Sequence, residues 1–540
     1  MYTHKDPIMR ELLARVSGRR LSRRTALKGA VAGGLSGALA VPILGAHPLA
    51  RQARAQDANT LAIAMPEEPI TMDPQFADGV NEYNVLINIM DGLFTTGENV
   101  EVVPRLVESW EQLDDLTWEF RLRPNVTFHN GEPLTGEDVK VTYERSLDPE
   151  LATRNTWGED INLESVEVVD DLTVRFHTTE LTPHILARLA NDHFISPANY
   201  LLENDPSTVA RHPIGTGAYV FQEWVTGERI SMTANPNYWD EPKPSIETVI
   251  WRFIPESTSR LASLETGAVD LIDGLLPSAI ADLEASETLM PVFVEGTRRV
   301  YIGLNTKVAP TDDVRVRQAL NYGTDVESIC EVILGGATTR MQNWMEPAFR
   351  NPDVTGYTYD PDRARQLLAE AGYPDGLNVT WDYERGGNLG IDEFPQAVAI
   401  SLREIGVEVE LNLLESNILS DRIAQASTGD AQAVGHMYFK TNASYFDPGL
   451  TYTNWRLDDD DNGTGYDNPE FIELLTQMFT GGTPEERLEW AYEAQQIFMD
   501  DAPALFLWYE PDIYGINRRV QNFAPTGDER IRLAGLTLAG

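Results

Sequence analysis

Between Asp360 and Leu413 the apolar residues of this chain change period repeatedly, and that stretch fixes the kind of fold the chain can adopt. Asp360-Pro361 has the chemistry of a helix start, Arg363 to Glu370 follows with helical spacing, and Gly372 closes the helix. Leu377 to Tyr383 then reads as a strand. Glu393 to Ile405 makes a second helix ended by Gly406, and Val407 to Leu413 alternates apolar and polar as the next strand. Strand, helix and strand joined by short turns form a βαβ unit. Such units place ligand sites at the carboxyl ends of their strands.

The first half of the chain is richer in strands. Leu61 to Met65 reads as a short buried strand, and Trp118 to Arg123 alternates as a half-buried strand of an antiparallel sheet does. Further strands are predicted at Val166 to Val169, Thr173 to His177, Tyr219 to Trp224 and Ile230 to Ala234. The fold is therefore mixed α/β, and a chain of 540 residues is too long for one core, so two large lobes or three smaller subdomains are expected.

The first 55 residues read as an export signal. Arg23-Arg24 stands in a basic stretch ahead of an uncharged run from Gly29 to Ala50, and Ala53-Arg54-Ala55 supplies a small-residue cleavage signal. The paired arginines point to the twin-arginine route, which carries folded cargo to the periplasm. General secretion and an uncleaved N-terminal anchor are the alternatives, because Ala26 stands where a bulky apolar residue is usual and the run is just long enough to cross a bilayer.

Ten of the 42 Lys and Arg but only two of the 84 Asp and Glu fall before Asp57, which leaves 32 basic against 82 acidic side chains and a formal net charge of −50. Such a surface repels phosphate backbones, so nucleic acid is not an expected partner. The single cysteine, Cys330, cannot make an intramolecular disulfide and lies near the apolar face of a predicted helix, where a buried structural role is expected.

Several segments together resemble bacterial extracellular solute-binding protein family 5, the peptide, oligopeptide and nickel-type binding components of ABC importers. They are Leu106 to Trp110, Leu116 to Val139 with Phe128-His129-Asn130-Gly131-Glu132-Pro133 at its centre, Pro213 to Tyr219, Asn235 to Trp239, Asp313 to Tyr322, Ala371 to Gly376, Gln495 to Phe498 and Asp501-Ala502-Pro503. On their own chemistry most of these are structural: Gly131-Glu132-Pro133 is a turn, Thr135 ahead of Glu137-Asp138 is a helix N-cap, and Gly215 and Gly217 are expected to permit tight turns. The resemblance implies a two-lobed clamshell, a type II periplasmic-binding-protein-like fold of the large class with an extra inserted subdomain. It implies lobe I over 56–298 with the insertion near 100–212, lobe II over 299–500, and a C-terminal return to lobe I over 501–540. It further implies a monomer that closes around a small solute and hands it to a membrane permease.

The resemblance also directs attention to Tyr438 to Pro448. In peptide binders of the family an aspartate three residues before an acidic-Pro pair meets the ligand ammonium; counting back from Asp447-Pro448 puts Ser444 there and Thr441 at an accompanying tryptophan position. A hydroxyl is a poor replacement for a carboxylate against a buried cation, which leaves peptide, sugar or another small organic solute open. Tyr438, Phe439, Tyr445, Phe446 and Trp455 cluster near Ser444 and Asp447, while Asn343-Trp344 lies in a loop where the family places cleft residues. Aromatic faces with amide and hydroxyl neighbours suit such ligands. Arg385, after a predicted strand, has the fork geometry to hold a carboxylate.

Catalytic and metal signals are weak. Asp458 to Gly463 begins like a calcium loop, but Pro469 stands at its closing position, and His436 is a lone imidazole. The chain after the leader has no G-x-S-x-G. No cofactor, no metal and no enzyme activity are expected; a periplasmic chaperone or sensor on the same fold, or a secreted hydrolase, is the alternative.

Overall fold

Ten strands form one sheet in the computed structural model, and two of them are long enough to run through both halves of the molecule. The structure describes residues 59–149, 151, 157–384, 393–443 and 446–539. In chain order the strands are β1 (Thr60–Met65), β2 (Tyr219–Val225), β3 (Arg229–Ala234), β4 (Thr248–Phe253), β5 (Leu271–Asp273), β6 (Leu289–Leu304), β7 (Leu377–Glu384), β8 (Val407–Leu414), β9 (Met437–Asn442) and β10 (Ala504–Asn517). Their order across the sheet is β8-β7-β9-β6-β10-β5-β1-β4-β3-β2. The chain is two-lobed because β6 and β10, paired antiparallel, serve both halves: Leu289–Glu295 pairs with Pro511–Asn517 in the first lobe, and Arg299–Gly303 with Ala504–Tyr509 in the second. Their register slips between Glu295 and Arg299, where the ladder is interrupted.

The helices and strands read from the sequence lie where the local chemistry puts them. Asp360 caps the helix Pro361–Glu370 by accepting from the Arg363 amide at 2.9 Å, and β7 pairs parallel with β8, as a βαβ unit requires. Thr135 and Asp138 form a capping box on the helix Gly136–Ser146. The glycines at 215 and 217 serve close approach rather than a turn: a Cβ at Gly215 would meet the Ile89 carbonyl oxygen at 2.4 Å, and one at Gly217 would meet the Ile89 carbonyl carbon at 2.5 Å.

Each half has its own core. The first-lobe sheet packs Leu61, Ile63, Trp251 and Leu271 against the helix Val80–Ile89 and the C-terminal residues Ile531 and Leu533. A separate four-stranded antiparallel sheet, with the helix Gly136–Ser146 across it, buries Phe120, Val139, Tyr143 and Phe176. In the second lobe one face of the sheet packs Trp381, Phe394 and Phe439 against helices, with Cys330 buried among them and its thiol pushed up to about 12 by that burial. The other face holds an aromatic core of Trp344, Tyr452, Trp455, Phe471 and Phe498.

Candidate functional site: the seam between the lobes

The carboxyl ends of the parallel strands face one another across the interruption in β6. In the first lobe β1 runs parallel to β5, and β5 pairs Asp273 with Tyr514, so Met65 and Asp273 end toward the crossing. In the second lobe β9 pairs Asn442 with Arg299, and β7 runs parallel to β9, so Glu384 and Asn442 end toward the crossing from the other side. The seam therefore lies where open α/β sheets bind ligands.

Among the described residues, the contacts that close the seam include the following. Phe446 leaves the second lobe and packs against Val100, Val102 and Ala187 of the first, leaving 7% of its surface exposed. His184 meets Phe479 edge-on, with ring centroids 5.9 Å apart. Arg487 donates to the Pro183 carbonyl at 3.4 Å while its Nη1 and Nη2 hold Asp447 at 2.7 and 2.6 Å. Burial lowers the pKa of His184 to about 4, more than offsetting the attraction of Asp447, so the imidazole at the seam is neutral.

Two cavities flank these contacts. One, of about 250 Å³, is walled by first-lobe residues including Asp91, Arg105, Asp192 and Arg530, and Phe446 caps it. The other, of about 700 Å³, lies between His184 and Arg188 on one side and Leu450, Arg456 and Phe479 on the other. In the first, Arg105 donates to Asp91 at 2.8 Å and also to Asp240 and the Tyr238 hydroxyl, and its guanidinium lies 4.6 Å from the centre of the Trp239 ring. No group of three or more His, Cys, Asp or Glu side chains among the described residues has the geometry to hold a metal ion.

The structure sends most of the residues singled out from sequence into cores. Trp344 and Trp455 are 0% and 1% exposed and meet edge-on at 5.5 Å, so both rings are packed in the core of the second lobe. Tyr438 is buried against Leu419 and Ile423, and Phe439 against Phe394 at 5.6 Å. The Asn343 side chain accepts from the Met345 amide at 3.0 Å and so shapes its own loop. Asp447 accepts from the Gly449 and Leu450 amides as well as from Arg487. None of these six lines either cavity, because apolar burial and ion pairing already use their surfaces. Arg385, Ser444 and Tyr445, with Arg23 and Arg24 of the leader, lie outside the described residues.

Sequence reasoning missed His184, Arg105 and Arg530, which sit in no local motif and reach the seam only through tertiary contacts. Phe446 stood in the aromatic cluster, but alternation alone did not separate it from its buried neighbours.

A two-lobed sheet with two shared strands and a seam at facing carboxyl ends defines a solute-binding protein of the periplasmic type. The family model of bacterial extracellular solute-binding proteins, family 5, matches residues 101–465, and the chain belongs to that family. It is 30% identical to heme-binding protein A of Haemophilus influenzae, over 87% of this chain and 91% of that protein. It is 26% identical to the dipeptide-binding protein of Escherichia coli, over 86% and 92%. Among solved structures, HbpA2 from Haemophilus parasuis superimposes with a TM-score of 0.80 at 26% identity, over 89% of this chain and all of that one. As a member of the family the chain captures a small solute and delivers it to an ABC importer. Among the described residues no helix is long and apolar enough to cross a membrane.

Proposed function

We propose that this protein is exported through Arg23-Arg24 to the periplasm and captures a peptide-type solute in the seam between its lobes, as a monomer and without chemical change to the solute. The observation that carries this reading is the placement of the strand ends: Asp273 and Met65 from one lobe oppose Glu384 and Asn442 from the other, so a solute held there touches both lobes only when they close. The dipeptide-binding relative supports the peptide class, and Ser444, Tyr445 and Arg385, which follow directly on β9 and β7, are the proposed second-lobe contacts. We assign residues 56–298 with the C-terminal return to lobe I and 299–500 to lobe II. The pairing of Ala504–Tyr509 with Arg299–Gly303 favours a crossing nearer Glu510 than 501.

The test is solution scattering and calorimetry with alanyl dipeptides, glutathione and haem. Compaction and saturable binding with a peptide, and recovery of the peptide intact after prolonged incubation, support the reading. Haem is the second candidate, favoured by the 30% identity to heme-binding protein A; compaction with haem alone would replace the peptide reading.

A further inference from the structure

We infer that the first-lobe cavity behind Phe446 is a subsite for a protonated amine on the solute's side chain, with Asp240 as the acceptor that receives it. This rests on the reading of the seam as a peptide-type solute site and adds to it the chemistry of one subsite.

The charge balance of the cavity wall is negative. Asp91, Asp192, Asp240, Glu241 and Asp528 line it, against Arg105, Arg530 and Arg532. Arg530 holds both oxygens of Asp192, at 3.1 and 2.5 Å, and Arg532 holds both oxygens of Asp528, at 3.0 and 2.5 Å. Those two pairs cancel. Arg105 is instead shared: its Nε donates to Asp91 at 2.8 Å and its Nη1 to Asp240, so one guanidinium serves two carboxylates. Lys243, itself 49% exposed, lies 3.9 Å from Glu241 and offsets only that acid. The uncompensated charge therefore falls on the Asp91–Arg105–Asp240 group, where a carboxylate from the solute would be repelled and a cation attracted.

Asp240 can also be reached. Its side chain is 36% exposed, and the oxygen that does not meet Arg105 has no hydrogen-bond partner among the described residues. The oxygens of Asp91 are both engaged, one by Arg105 and the other by the Thr216 hydroxyl and the Trp239 indole, at 2.7 and 3.1 Å. No carboxylate of the wall thus keeps a free two-oxygen edge for the planar fork of a guanidinium. A single free oxygen suits the compact ammonium, whose three N–H groups need no common plane.

The rest of the surroundings favours the same charge. Phe446, Phe94 and Phe194 line the cavity, and aromatic faces attract cations. Of the described lining residues only Phe446 comes from the second lobe, so a group held here touches both lobes when they close. Beside Asp528, Asp512 has one carboxylate oxygen buried without a hydrogen-bond partner. Burial and the carboxylates of Glu529, Asp273 and Asp528 hold it well above the usual carboxylate range, as a region short of cations would.

The experiment is calorimetry and solution scattering on the mature protein with three dipeptides, alanyl-lysine, alanyl-norleucine and alanyl-glutamate. All three carry the same α-ammonium, so their differences read the side-chain group alone. Alanyl-lysine is expected to bind at least tenfold tighter than either of the others. Asp240→Asn, which leaves Arg105 paired with Asp91, should cut that preference at least threefold. Compaction by these dipeptides with no preference for lysine overturns the subsite and leaves the seam reading standing, and an undiminished preference in Asp240→Asn overturns its placement in this cavity. If none of the dipeptides binds, the peptide reading fails, and ligand-observed NMR with butylammonium, butyramide and butyrate decides the subsite separately. Saturable binding of butylammonium above the other two, weakened in Asp240→Asn, supports it; no preference among the three overturns it.

Discussion

Phe446 and Val100 touch across the lobe seam with both backbones in the left-handed region, at φ 58° and 66°. Val100 sits at the tip of the turn joining two short strands, Phe94–Thr96 and Val102–Pro104, and Phe446 immediately precedes Asp447, which Arg487 and two backbone amides hold in place. The conformational cost on both sides is offset by burying the aromatic ring of Phe446, which is left 7% exposed.

Phe446→Ala should therefore act on closure more than on folding. Loss of a mostly buried phenyl ring is worth about 3 kcal/mol, and because the contact spans the seam, most of that is expected to move the closed–open equilibrium. A larger radius of gyration with nearly unchanged thermal stability is the expected outcome. Stability lost with no change in radius would make the ring part of an ordinary core.

The buried pair of Arg299 and Glu346 is expected to matter for stability. Arg299 is 0% exposed, donates to the Trp344 carbonyl at 2.5 Å and pairs with Glu346, which also accepts from Thr451 at 2.9 Å. Breaking one side of such a pair costs about 3–5 kcal/mol because a buried charge is left uncompensated. Glu346→Gln should lower the thermal midpoint markedly, while Arg299→Met with Glu346→Leu should recover much of the loss.

Asp447 offers a direct choice between two roles. Its oxygens are occupied by Arg487, Gly449 and Leu450. Asp447→Asn should cost a few kcal/mol of stability, on the order of a broken buried pair, and Arg487→Met in the same chain should restore part of it. Lost solute binding at undiminished stability would instead return Asp447 to the list of solute contacts.

The pH dependence of stability should have two limbs. Burial raises the Asp273 carboxyl to about 6, so the folded chain holds a proton that the unfolded chain has released, and stability present at low pH is lost as pH rises from about 4 toward 6. Asp273→Asn should remove that loss and raise the melting temperature at pH 7.5. Burial, with Arg188 nearby, lowers His193 to about 3, so the unfolded chain binds the proton first and stability falls as pH drops from about 6.5 toward 3. His193→Gln should flatten that acid limb, as followed by fluorescence melting across a pH series.

Much of the framework was legible in the sequence. The helix Pro361–Glu370 and the strands β7 and β8 follow from a cap, two glycines and a change of period, all of them local. The two long strands were not, because Leu289–Leu304 contains Pro291 and Gly296 and owes its extended course to β10, more than two hundred residues away. The seam was less legible still. Trp344, Trp455, Tyr438 and Phe439 have the composition of a binding surface, and nothing local distinguishes a ring that meets a solute from a ring packed against another ring.

By itself the sequence determined the α/β class, through capping, periodicity and turn residues that act within a few positions of one another, and the resemblance of its motifs implied the family and with it the two lobes. Only the tertiary structure decided which side chains reach the seam. The Arg530–Asp192 pair, the Arg487 contact with Pro183 and the packing of Phe446 on Val100 join residues separated by more than three hundred positions. Whether a polar or aromatic group faces a solute or a core depends on which distant surface the folded chain brings against it.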